Sequence, residues 1–149
     1  MENKALNYFI ANLGKHSAET SPSPVGRWLN GKLIKAEVGN LAWEYVIRIE
    51  MTNPGGILHG GIVSTMMDDV MGATVFSTDQ EFMFTSVNLN VDFLSSAKAG
   101  DKVTCEARII RKGSNVMHVE AWIKRADKLL AKAASNLIKT RTPVPFRKS

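Results

Sequence analysis

The sequence predicts an α+β domain in which a curled antiparallel sheet of about six strands wraps one long central helix, with a short helix ahead of them. Three observations carry this. Between His59 and Ser77 lie Ile62, Val63, Met66, Met67, Val70, Met71, Val75 and Phe76. At the 3.6-residue period these cover nearly every direction around the axis, and a helix apolar all round is a buried one. Runs on both sides of it alternate apolar and polar residues with period two, as half-buried strands do. The last four runs are joined by connections of hairpin length, so they pair antiparallel, and a sheet that covers most of one helix must curl around it.

In chain order, Asn3 is placed to cap a first helix in which Leu6, Phe9, Ile10 and Leu13 recur at helical spacing. Residues 17–26, with Pro22 and Pro24, read as a connector kept irregular by its prolines, so that 1–26 form a helix and linker. From Trp28 to Glu50 two extended runs are broken by a tight turn at Gly39-Asn40, with Trp43, Tyr45, Ile47 and Ile49 as the buried row of the second. The stretch from Asn53 to Gly61 holds four glycines and a proline, a loop that can bring backbone close to a ligand. After the central helix, Thr85, Val87, Leu89, Val91 and Phe93 form one apolar row against Ser86, Asn88, Asn90 and Asp92. A turn at Ala99-Gly100-Asp101 leads to the row Val103, Cys105, Ala107 and Ile109, and Gly113-Ser114-Asn115 leads to Met117, Val119, Ala121 and Ile123. A last strand runs from about Leu129 to Thr140, Pro143 and Pro145 end it, and 142–149 make a short basic tail.

With 149 residues, 44% of them hydrophobic, the chain is long enough for one domain with a real core, spanning 1–149 without repeats. No run of about 18 apolar residues is present, so no membrane span is expected, and the N-terminus lacks the basic-then-apolar pattern of a leader. The single cysteine, Cys105, excludes an internal disulfide framework and fits a reducing cytoplasm. A net charge of +5 permits an anionic partner. The basic residues fall in short groups (Arg111-Lys112, Lys124-Arg125, Arg147-Lys148) without interleaved aromatics or a nucleic-acid motif, so nucleic acid is not the expected partner. There is no H-E-x-x-H, no cysteine or second histidine at ligand spacing, no G-x-S-x-G, no Walker loop and no dinucleotide fingerprint, so neither a metal nor another cofactor is expected.

Gly60 falls at the start of the central helix, where the first N–H groups have no intrahelical acceptor and the macrodipole is positive. A glycine there lets a ligand oxygen approach the amide, as in an oxyanion hole; it is equally a glycine that suits loop-to-helix packing. Asp68 and Asp69 stand in mid-helix, where an unpartnered carboxylate costs several kcal/mol. The neighbours of Asp68 one turn either way are Ser64 and Gly72, which leave room for a ligand, whereas Asp69 has the slightly bulkier Thr65 and Ala73. Either acid can instead be one satisfied by hydroxyls and amides. Asp68 is eight residues beyond Gly60, roughly 12 Å along a helix. An oxyanion donor and an attacking or activating carboxylate must both come within about 3 Å of one carbonyl group. One helix cannot supply both, so catalysis by this pair requires two copies related by a two-fold axis.

The pattern Asn53-x5-His59-Gly60-Gly61-x6-Asp68, followed by Ser86-Val-Asn-Leu-Asn-Val-Asp-Phe-Leu and Ala97-x-x-Gly100-Asp101, resembles the hotdog-fold acyl-CoA thioesterases, in particular their phenylacetyl-CoA thioesterase-like branch. The resemblance spans roughly Trp28 to Arg141. It implies a metal-free thioester hydrolase acting on acyl-CoA as a homodimer, often paired into a tetramer. By position it implies Asp68 as nucleophile or general base, the Gly60 amide as oxyanion donor, Asn53 near the water or thioester, His59 as the histidine that orders the loop and can bond the substrate, and Ser86 as the strand hydroxyl that places water or carboxylate. Asn53, His59 and Gly60 then come from one chain, Asp68 and Ser86 from the other. Around them, Gly61, Met67 and Met83 are candidates for substrate contact, and Arg111 and Lys112 for the CoA phosphates. A non-catalytic acyl-CoA-binding module on the same fold is the rival function, separable by tight binding without turnover.

Overall fold

The computed structural model describes residues 1–145, so the Arg147-Lys148 pair of the expected tail lies outside the described residues. Helix α1 (Lys4–Ala11) begins as anticipated, with the Asn3 side chain accepting the Leu6 N–H at 2.8 Å. The connector does not stay irregular. It contains α2 (Ser17–Thr20) and α3 (Pro24–Leu29), because a proline at the first helical position has φ already set and no N–H to satisfy. Ser23 caps α3 by accepting the Gly26 N–H at 3.1 Å.

Strands β1 (Lys32–Glu37) and β2 (Asn40–Val46) form the first hairpin. Glu37 faces Asn40, so the turn is Val38-Gly39, one residue earlier than the sequence suggested, with Gly39 at φ +71°. The buried row of β2 also ends sooner: Ile49 opens a 3-10 turn (Ile49–Met51) and is 77% exposed. Helix α4 (Gly60–Phe76) has the bounds the periodicity gives it, His59 and Ser77 being its caps. Then follow β3 (Phe82–Phe93), β4 (Lys102–Lys112), β5 (Val116–Arg125) and β6 (Lys128–Pro143). The six strands make one antiparallel sheet in the order β1-β2-β4-β5-β6-β3.

The sheet's inner rows (Val103, Cys105 and Ala107 of β4; Met117, Val119, Ala121 and Ile123 of β5) close on Met66, Met67, Val70 and Met71 of α4. Each such large side chain removed from water contributes roughly 1.5–3 kcal/mol. A smaller cluster of Phe9, Leu33 and Leu41 fastens α1 to the first hairpin and to Trp43 and Phe76. Helix α4 is not covered on every side. Gly61 and Asp68 are exposed and Thr65 and Gly72 half-buried, one stripe at helical spacing left open within the chain.

The expected single apolar row of β3 is broken. Ser86 faces Leu137 and Asn88 faces Asn136, so Val87 is an extra residue, a β-bulge that reverses which positions face inward. Phe84 and Ser86 point in before it and Leu89 and Val91 after it, while Val87 is 61% exposed. Strand β3 is also a sheet edge, its free side carrying no ladder partner among the described residues. No helix among the described residues is long and apolar enough to cross a membrane.

Candidate functional site

The loop ahead of α4 is held at its base and shaped by its own side chains. The Leu58 N–H donates to the Ala97 carbonyl at 2.8 Å and the His59 N–H to the Met51 carbonyl at 2.9 Å, all through buried anchors except His59 itself. Asn53 Oδ1 accepts the Gly55 N–H at 2.9 Å and the Ile57 N–H at 3.4 Å, and Gly56 turns the chain at φ +78°. The Asn53 side-chain oxygen is thus spent on the loop.

His59 Nδ1 accepts the Gly61 N–H at 2.8 Å. That bond fixes the neutral ring as the Nε2–H tautomer and satisfies one of the orphan donors of the first turn. The Ile62 and Val63 N–H groups both reach the His59 carbonyl. The Gly60 N–H is left, among the described residues, with no hydrogen-bond acceptor, at the positive end of a 17-residue helix. A Cβ at Gly60 would come within 3.2 Å of the Phe93 ring, so the end of β3 lies close to the start of α4.

One residue's difference separates two unlike acids on α4. Asp68 is exposed, and the inward-turned Ser86 donates its hydroxyl to Asp68 Oδ1 at 2.8 Å, an arrangement the bulge at Val87 makes possible. Asp69 is half-buried on the other flank, where Ser23 donates to its Oδ1 at 2.8 Å. Burial pushes the Asp69 carboxyl above its ordinary value, the adjacent Asp68 charge adds to the rise, and the Ser23 hydrogen bond opposes it. The sequence reading missed Ser23. Its signal was present, a serine directly before a proline, which is the pattern of an N-cap followed by the first helical residue.

Beside the acids lies a cavity of about 520 Å³, within the range of small-molecule sites. Asp68, Gly72 and Phe76 run along one wall, Met83 and Phe84 of β3 form another, and Tyr8 and Pro22 of the N-terminal segment cover it. The Tyr8 hydroxyl donates to the Thr20 carbonyl, tying that cover together.

The structure therefore gathers the candidates into two groups. Asn53, His59, Gly60 and Gly61 meet at the start of α4, while Asp68, Ser86 and Met83 meet at its middle; within one chain about 12 Å of helix separates Gly60 from Asp68. Met67 departs from the expected substrate contact: it has no exposed surface and packs in the main core. Arg111 and Lys112 end β4 near Gly39, at the end of the sheet where α4 finishes, about 25 Å of helix from Gly60. They are not gathered with either group in the single chain. No three His, Cys, Asp or Glu side chains converge as a metal site among the described residues.

Comparison with known proteins turns this geometry into a family assignment. Residues 55–132 match the model of the thioesterase superfamily. The chain belongs to the thioesterase superfamily. It is also 34% identical over 119 residues to a protein of Saccharolobus solfataricus named as an esterase, covering 79% of this chain and 84% of that one. It is 29% identical over 101 residues to acyl-coenzyme A thioesterase 13 of Homo sapiens, covering 66% of this chain and 72% of that one. Among solved structures, a thioesterase of Ralstonia eutropha described as phenylacetic acid degradation-related superposes with a TM-score of 0.75 at 32% identity, over 89% of this chain and 99% of that one. The thioesterase-superfamily chain described above is a hotdog-fold thioester hydrolase, its long helix wrapped by the curled sheet as the sequence resemblance implied.

Proposed function

We propose that this thioesterase hydrolyses acyl- or aryl-CoA to the free acid and CoA without a metal, at two equivalent sites shared between the subunits of a homodimer. The observation that carries the reading is the division of labour along α4: an unengaged amide at Gly60, and an exposed carboxylate at Asp68 oriented by Ser86. With Oδ1 held by the Ser86 hydroxyl, Oδ2 of Asp68 is free either to take a proton from water or to attack the thioester itself. Attack on the carbonyl carbon drives its electron pair onto oxygen, where the Gly60 N–H of the other subunit receives it. Collapse expels the CoA thiolate, which takes up a proton. Hydrolysis of an acyl-aspartyl intermediate, where attack is direct, returns the carboxylate.

The open edge of β3 supports the dimer and suggests its register. A two-fold axis at Asn90 puts Leu89 opposite the partner's Val91, Asn88 opposite the partner's Asp92 and, because Val87 is the bulged residue, Ser86 opposite the partner's Phe93. Opposed residues then point to the same face, as antiparallel pairing demands. Since Ser86 holds Asp68 and Phe93 lies on Gly60 within each chain, this register brings the acid of one subunit to the amide of the other. The open stripe of Gly61, Thr65, Asp68 and Gly72 on α4 faces the same way. Pairing of dimers into tetramers, a cytoplasmic location suited to the reduced and buried Cys105, and contact of Arg111 and Lys112 with CoA phosphates belong to the same proposal.

The test is release of free thiol from a panel of aryl- and fatty-acyl-CoA esters. The reading expects turnover by the native chain and its loss in Asp68→Asn; equal, slow rates for both on every ester refute it. Hydrolysis in labelled water under single-turnover conditions identifies direct attack if label appears in the Asp68 carboxylate.

A further inference from the structure

The cavity beside Asp68 has a feature that neither folding nor the chemistry of hydrolysis requires. Gly72 sits one turn beyond Asp68, in the interior of α4, and lines the cavity. Its backbone is ordinary helix, with no positive φ. A Cβ built there meets nothing within 4 Å, so no group of the same chain demands a glycine. Alanine is the better helix former at such a position, which leaves the space itself as what the glycine provides.

That space continues from the carboxylate. The cavity follows α4 from Asp68 to Phe76, eight residues or roughly 12 Å. Phe9 and Phe76 line its far end, their rings meeting edge-on with centroids 5.8 Å apart. Trp43, Met83 and Phe84 make the walls apolar along the way. With C–C bonds of about 1.5 Å advancing roughly 1.25 Å per carbon in a zigzag, the length accommodates about ten carbons.

We propose that Gly72 is a specificity-determining residue, whose missing side chain leaves room between Asp68 and Phe76 for a straight apolar acyl chain of about ten carbons. The inference rests on the thioesterase reading of Asp68 and names the acyl class that site takes. Each methylene drawn out of water is worth about a fourfold change in binding, so chain length is a sensitive readout.

The experiment compares kcat/KM of the native chain, Gly72→Ala and Gly72→Leu on straight-chain acyl-CoA esters from acetyl to dodecanoyl. The native profile is expected to climb to about ten carbons and then fall. In Gly72→Leu the ratio of decanoyl- to acetyl-CoA turnover is expected to drop at least tenfold, with Gly72→Ala between the two. Profiles that run parallel in all three chains overturn the inference while leaving the thioesterase reading intact. So does a Gly72→Leu protein that becomes monomeric on size-exclusion chromatography, since that assigns the position to the subunit contact. Calorimetry in the Asp68→Asn background provides a readout independent of turnover. There Gly72→Leu is expected to weaken decanoyl-CoA at least tenfold relative to CoA. That result with no hydrolysis by the native chain keeps the acyl site and removes the catalytic reading; equal weakening of both ligands overturns the inference.

Discussion

The two flanks of α4 at the acid doublet offer a controlled comparison. On the β3 side, Asp68 is exposed and bonded by a serine that a strand bulge has turned inward. On the α3 side, Asp69 is half-buried and bonded by a serine that is already working as a helix cap. The residue type, the partner type and the 2.8 Å distance are the same. What differs is exposure, although both carboxylates line the same cavity. An acid with a free oxygen on an open stripe can meet a substrate; an acid beneath the N-terminal cover fastens that cover to the helix. In the proposed site it is exposure, rather than hydrogen bonding, that separates the two acids.

The sharpest way to break the comparison is to neutralise each acid in turn. Asp68→Asn is expected to lower kcat by roughly 10²–10⁴, the usual contribution of a positioned general base, with an unchanged melting temperature. Asp69→Asn is expected to leave turnover within about threefold, because it keeps an acceptor for Ser23 and because Asp69, though it lines the same cavity, is the less exposed of the two acids. Steady-state thiol release and thermal melts of both variants check the pair, and a reversal of the two effects exchanges the roles assigned above.

The serines sharpen it further. Ser86→Ala is expected to lower kcat about tenfold while stability holds, since it orients an exposed group. Ser23→Ala removes both a helix cap and the partner of a half-buried acid, and denaturant unfolding is expected to report a loss of about 1–2 kcal/mol.

A smaller effect is expected in the pH dependence of stability. The folded carboxyl of Asp69 lies above its unfolded value, so between those two values the folded chain holds more protons than the unfolded one. Stability from this group is present at acid pH and is lost as pH rises through the raised value. Melts of the native chain and Asp69→Asn from about pH 4 to about pH 7 are expected to diverge as pH rises, with the variant gaining; constant separation contradicts it.

How much of this could be seen in the residues follows the same physical divide. The bounds of α4, the inner rows of β4 and β5 and the antiparallel pairing were legible, because burial imposes a period that a sequence displays. The spacing of Gly60 and Asp68, the two halves of the proposed site, was legible too, since both lie on one helix. What was hidden depends on contacts between distant segments. Val87 looks like a member of a regular row until its register against β6 makes it the extra residue, and only then does Ser86 reach Asp68. Pro24 reads as a breaker of its segment, although after Ser23 it starts a helix, and the partner of Asp69 is hidden with it. Met67 matched the profile of a substrate contact and proved to be core.

The dimer register can be probed directly. If the two-fold axis passes through Asn90, then Asn90→Cys is expected to form an interchain disulfide on mild oxidation, since directly opposed residues in an antiparallel pair have Cα atoms about 4.5–5.5 Å apart. Cys105 is buried and does not compete. Cross-linking no faster than that of a cysteine at Val116, away from this edge, contradicts the register.

The most direct test of a site divided between subunits uses two inactive chains. Asp68→Asn keeps the amide, and Gly60→Pro removes it while retaining a residue suited to the first turn of a helix. Dissociated, mixed in equal amounts and reassociated, half of the dimers are mixed, and each mixed dimer has one site with both Gly60 and Asp68 intact. The mixture is expected to recover about a quarter of native activity. A mixture as inactive as its components, with mixed dimers demonstrably present, contradicts it.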